Sequence, residues 1–122
     1  MELDKLPFAD DFFQAVISFH VIEHLSDPDN YLTEIRRVLN PGGVFLIVTP
    51  DWRKQYKTFW RDHTHKHPYD KESLARVLRA YGFSLYALKS FGTFRGLGRF
   101  RLYKIFPGAM FSGIDMIAVV KK

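Results

Sequence analysis

The sequence has no cysteine among its 122 residues. Disulfides, cysteine-ligated zinc and thiol catalysis are thereby excluded. No apolar run is long enough to span a bilayer. The acidic amino-terminal stretch lacks a signal-peptide pattern, so a cytoplasmic location is the expectation. Internal repeats and low-complexity tracts are also missing. The net charge of +5 is too modest to demand an acidic partner, and no nucleic acid is expected. What remains is 47% hydrophobic and 25% charged, which suits a globular chain with a buried core rather than a disordered one. At this length one domain, residues 1–122, is expected.

The pattern along the chain alternates strands with helices. Gln14 to Phe19 is a short, nearly continuous apolar run, the pattern of a strand buried on both faces. Ser26-Asp27-Pro28 marks a helix start, with Pro28 at the first helical position. Tyr31, Leu32, Ile35, Val38 and Leu39 follow at helical spacing. Asn40-Pro41-Gly42-Gly43 then turns the chain into a second strand, Val44 to Val48. Thr49 to Tyr69 reads as a long polar and aromatic connection, a kind of segment that is often functional. Asp70 caps a further helix carrying Leu74, Val77, Leu78 and Tyr81 on one face and ending at Gly82. Phe83 to Ser90 and Ile114 to Val120 are two more strands, with a short helix near Phe100–Phe106 between them. Such alternation predicts an α/β layered fold with a mostly parallel sheet and an antiparallel last strand. Ligands of these sheets bind beyond the carboxyl ends of the strands, here Phe19-His20 and Thr49-Pro50-Asp51.

Several passages, in this order, resemble class I S-adenosylmethionine-dependent methyltransferases. Leu6-Pro7-Phe8 with Phe12 to Ser18 is similar to their "LPF…FD-x-V" passage, except that Gln14 stands where Asp is usual. Val21-Ile22-Glu23-His24-Leu25 resembles the "EH" segment after strand four. Val38 to Gly43, continued by Phe45 to Pro50, resembles the "LKPGG" passage into strand five. Asp62-His63-Thr64-His65, Ser73-Leu74 and Tyr81-Gly82-Phe83 resemble the "D-x-TH…SL…GF" run of one subgroup. The resemblance covers the carboxyl-terminal half of that fold. It implies a partial Rossmann-like sheet of strands four to seven, flanked by helices, with the last strand antiparallel between five and six. The "G-x-G-x-G" cofactor loop of the family has no counterpart before Gly42, the first glycine. Glycines matter in that loop because they let backbone approach the ligand closely.

The resemblance implies S-adenosylmethionine as cofactor, with Glu2, Leu3, Phe19 and His20 at the rim of its site. It places His24, Glu23 and His65 as catalytic residues facing a small-molecule acceptor, where a neutral imidazole suits a general base. Other readings of His20-Val21-Ile22-Glu23-His24 stay open. Glu23 and His24 can simply pair locally or cap the next helix. An inverted zincin H-x-x-E-H requires a longer helix than this segment allows before Ser26-Asp27-Pro28. Some quinone-biosynthesis members bind a divalent metal with E-x-x-E-H, but this chain has His20 in the first place, and no metal is assigned. His63, His65 and His67 alternate along an extended segment, either as a solvated loop or as ligands.

Two stretches are basic and aromatic: Trp52 to Arg61 reads as an acceptor lid or core-covering helix, with membrane contact or a nucleic-acid surface as alternatives, and Phe94 to Arg101 as a contact for an anionic or lipid-linked acceptor. A solvated connection is the simpler reading of the second. Self-association or a complementing amino-terminal half is expected, because the edge of the first strand is apolar on both sides. The competing functional class is a non-catalytic, truncated binding domain.

Overall fold

The computed structural model describes residues 3–92 and 114–122. Strand β1 is Phe13–Phe19, helix α1 Asp29–Val38, β2 Leu39–Pro50 and α2 Trp52–Gln55. Helix α3 is Lys71–Ala80, and strands β3, Ser84–Gly92, and β4, Ile114–Lys121, complete the order. Short 3-10 turns at Ile22–His24 and Phe59–Arg61 lie in the connections after β1 and α2. The expected helix near Phe100–Phe106 and the Phe94 to Arg101 stretch fall outside the described residues.

One sheet holds the strands in the order β1-β2-β4-β3. β1 and β2 run parallel, and β4 is antiparallel to both β2 and β3. A last strand inserted between its two predecessors is the topology that the resemblance implies, so the α/β partial Rossmann-like class holds.

Side-chain alternation divides the sheet into two unlike faces. Phe45 pairs with Val120 and Ile47 with Ala118, so these residues share one face. Leu32 and Ile35 of α1 and Leu74 and Leu78 of α3 cover that face in a single buried cluster. Each such burial contributes roughly 1.5–3 kcal/mol before entropy is counted. Ile17 and Phe19 point the other way and stay 62% and 47% exposed. Strand β1 is therefore not buried on both faces as its composition suggests. Among the described residues only β2 pairs with it, and no described helix covers its outer face.

Other boundaries shift for local reasons. The Asp27 carboxylate accepts from Asp29 N at 2.9 Å, which makes Pro28 the cap of α1 rather than its first helical residue. Asn40 to Gly43 do turn the chain, but as a bulge inside β2: Phe13 pairs with Leu39, and Ala15 already pairs with Val44. Gly43 is required in that bulge, because a Cβ would sit 2.8 Å from the Asn40 carbonyl oxygen. Asp70 caps α3 as expected. Ser73 N donates to its carboxylate at 2.8 Å and Asp70 N donates to Ser73 Oγ at 3.0 Å. A cap of this kind is worth about 1 kcal/mol. The long connection after β2 is not structureless, since it holds α2 and the 3-10 turn at Phe59–Arg61. No helix among the described residues is long and apolar enough to cross a membrane.

Candidate functional site at the carboxyl ends of β1 and β2

Strand β1 ends at Phe19, and His20 turns the chain with a φ of +51°. Few side-chain-bearing residues adopt that left-handed conformation, and those that do often serve a site. The 3-10 turn that follows is anchored by Ile22 and Leu25, which are buried in the core. Between them Glu23 is fully buried, and His24 projects at the margin with 20% of its side chain exposed.

The His20 ring lies between two carboxylates from distant parts of the chain. Its Nε2 is 3.1 Å from Asp115 Oδ2 and its Nδ1 is 3.3 Å from Glu23 Oε1. Burial lowers the imidazole pKa, but the hydrogen bond to Asp115 and the Glu23 carboxylate beside the ring outweigh it and push the value up to about 10. His20 is thus an imidazolium clamp in the neutral range, and both of its nitrogens are engaged. The Gln55 side-chain amide also donates to Asp115, at 3.5 Å.

Glu23 is held from several sides. Thr49 Oγ1, at the end of β2, donates to Glu23 Oε2 at 3.0 Å. Lys66 N and His67 N donate to the Glu23 backbone carbonyl at 2.8 and 3.0 Å. The connection after α2 is thereby pinned over the 3-10 turn. Glu23 Oε1 is buried and makes no hydrogen bond of ordinary geometry.

His24 and His65 meet through that pinned connection. Their ring centroids are 4.8 Å apart, and the His65 ring packs on Phe59 at 4.4 Å. His24 Nδ1 lies 3.1 Å from the Thr64 carbonyl oxygen and 2.9 Å from Thr64 Oγ1. His65 Nδ1 lies 2.7 Å from the Phe59 carbonyl oxygen. A carbonyl can only accept, so Nδ1 carries a proton in both rings, and in the neutral forms Nε2 carries the lone pair. Thr64 Oγ1 in turn donates to Asp62 at 2.5 Å. That bond and the Thr64 backbone N–H hold the Asp62 carboxyl below the usual carboxylate range. One ligand atom each from Glu23, His24 and His65 falls within 4.8 Å of the others.

The structure thus brings His20, Glu23, His24 and His65 to one end of the sheet. Phe19 adjoins them in sequence, with its side chain on the open face. Leu3 packs against the core, and its carbonyl accepts from the Asn30 amide at the start of α1. Glu2 falls outside the described residues. Of the alternating histidines only His65 joins the cluster; His67 stacks on Tyr69 and His63 is exposed. Sequence reasoning missed Asp115, and it named Asp51 only as part of a strand end; each is 2% exposed. Asp51 caps α2 and accepts from Ser90 Oγ at 2.5 Å. The available signal was an acid standing alone in the apolar run Ile114 to Val120, at the register position opposite Pro50.

These residues do not by themselves form a cradle for a nucleoside-bearing cofactor. A nucleoside-bearing cofactor needs a turn where backbone meets ligand. The turn after β1 is instead His20-Val21-Ile22, with its ring drawn inward to Asp115. The apolar cavity of about 280 Å³ bordered by Leu6, Phe8, Phe13 and Val38 has no titratable side chain in its wall. The described residues alone therefore do not fit the whole of S-adenosylmethionine.

Comparison with known proteins agrees with the resemblance. Residues 1–88 match a family described as a methyltransferase domain. The chain is 36% identical over 87 residues to malonyl-[acyl-carrier protein] O-methyltransferase 1 of Coxiella burnetii, an alignment covering 68% of this chain and 31% of that protein. It spans less than a third of the length of the curated relatives it matches first. A solved S-adenosylmethionine-dependent methyltransferase of Archaeoglobus fulgidus superposes with a TM-score of 0.64 at 21% identity, covering 94% of this chain and 62% of that one. Another, from Mesorhizobium loti, superposes with a TM-score of 0.70 at 14% identity, covering 100% and 67% respectively. At these identities the superpositions establish the fold.

Proposed function

The chain belongs to the methyltransferase-domain family, and we propose that it carries the acceptor side of an S-adenosylmethionine-dependent methyl transfer. The acceptor is a small molecule, free or linked to a glycan or lipid carrier. The observation that carries this reading is the polar cluster of Glu23, His24, His65, Thr49 and Asp115 at the carboxyl ends of parallel strands. Sheets of this class take their ligands at that end.

Phe19 and His20 form the rim toward the cofactor, and Glu23, His24 and His65 face the acceptor. The chain's own contribution is to orient the acceptor and draw away its proton as the new bond forms. The His20 clamp between Asp115 and Glu23 fixes the 3-10 turn on which His24 stands. The remainder of the cofactor's cradle comes from residues beyond those described, in the same polypeptide or in a complementing one.

Ultraviolet photolabelling with methyl-tritiated S-adenosylmethionine, followed by peptide mapping, tests this. Label is expected on the segment from Phe19 to Leu25. Label confined to α3 or to the apolar cavity at Leu6 and Phe8, or no label at millimolar cofactor, would contradict it.

A further inference from the structure

We infer that Glu23, His24 and His65 form a binding site for a divalent cation of the zinc class. The first ground is the orphaned oxygen. Glu23 is fully buried, Thr49 satisfies its Oε2, and Oε1 has no hydrogen bond. A buried carboxylate oxygen left in that state costs stability unless something positive meets it. The His20 imidazolium, 3.3 Å away, offsets part of the charge, but it lies outside hydrogen-bonding geometry and leaves the lone pairs of Oε1 unfilled.

The second ground is the orientation of the two rings. Each donates its Nδ1 proton to a backbone carbonyl, Thr64 for His24 and Phe59 for His65. Metal-binding histidines are commonly fixed in this way, with the outer nitrogen tied to a carbonyl or carboxylate and the other presented to the ion. His24 Nε2 is already 3.8 Å from Glu23 Oε1. Ligands at about 2.0–2.1 Å around a tetrahedral ion stand roughly 3.4 Å apart. Small side-chain rotations therefore close the trio, whose ligand atoms now span no more than 4.8 Å.

Chemistry selects the ion. Imidazole nitrogens with one carboxylate suit zinc and its neighbours, whereas magnesium and calcium prefer oxygen throughout. Asp62 Oδ2, 3.6 Å from His65 Nε2, is placed to approach the fourth position, which water or an acceptor oxygen otherwise fills. The ligand set is not the one a motif built on position 20 would suggest. His20 has both nitrogens turned to carboxylates, so ligation would break its bond to Asp115. The third ligand comes instead from the connection between α2 and α3.

The site itself stands on this geometry alone. Only its use, polarising an acceptor hydroxyl so that it loses its proton, rests on the methyltransferase reading.

The test is calorimetric titration of zinc into chelator-treated protein, with cobalt absorption as the coordination signature. One ion per chain is expected at micromolar affinity. His24→Ala and His65→Ala should each weaken binding by at least about tenfold and change the cobalt bands. His63→Ala and His67→Ala should leave both unchanged. Circular dichroism confirms folding of each variant, and Glu23→Gln is used only if it remains folded. No binding at micromolar zinc, or binding that His63→Ala or His67→Ala removes, would overturn the proposal. Neither outcome bears on cofactor labelling, so the two readings fail separately.

Discussion

His20 Nε2 and Asp115 Oδ2 lie 3.1 Å apart across 95 positions of sequence, and they tie the end of β1 to the start of the antiparallel strand β4. β4 is the strand paired with β2 from Val44 to Pro50, so the bond spans the sheet at its functional end. Asp115→Asn removes the charge of a nearly buried partner. It should cost about 2 kcal/mol of stability, in the range of hydrogen bonds to charged groups. Urea unfolding compares the midpoints of the two proteins. An unchanged midpoint would mean that the clamp is structurally idle.

A separate carboxylate sets an acid limit. Glu34 accepts from Arg37 Nε and Nη2 at 2.8 Å each and from Leu6 N at 2.8 Å. The Arg37 hydrogen bonds, then the Leu6 amide, pull its pKa down from 4.5 to about 2. A folded-state pKa below the unfolded one gives stability that is fully present above the unfolded value and lost as pH falls through the folded one. Stability should therefore decline from about pH 4.5 toward pH 2 as this carboxylate is protonated. Glu34→Gln should be less stable than the native chain at neutral pH, and the gap should narrow across that window. A gap that stays constant with pH would contradict the assignment.

The open face of β1 predicts association. Ile17 and Phe19 are exposed there, and Phe8 and Phe12 add exposed rings at 42% and 60% at the strand's other end. An exposed apolar edge strand invites another chain. Sedimentation should show concentration-dependent association of the 122-residue chain. Ile17→Lys should shift it toward monomer without lowering the unfolding midpoint. A native chain that stays monomeric at high concentration would contradict this.

The same strand shows where sequence reading reached its limit. Composition made Gln14 to Phe19 a strand correctly, because an unbroken β-branched and aromatic run has few alternatives. The burial of each face depends on neighbours that composition does not name, so Ile17, in a run that reads as interior on both faces, lies outside. Asp70 and Ser73 were legible as a helix start because capping is local. The cluster was half legible. Glu23 and His24 stand together in sequence, and His65 carried a recognisable pattern. Their meeting depends on Lys66 N and His67 N finding the Glu23 carbonyl, a tertiary event. Asp115 was missed because its partner is 95 residues away.

The most direct test of the central claim, that the carboxyl ends of β1 and β2 are the working face, is heteronuclear NMR titration of this chain with S-adenosylmethionine to millimolar concentration. The account predicts weak binding, with amide shift changes concentrated from Phe19 to Leu25. Changes confined to the apolar cavity beside Leu6 and Phe8, or no changes at all, would contradict it.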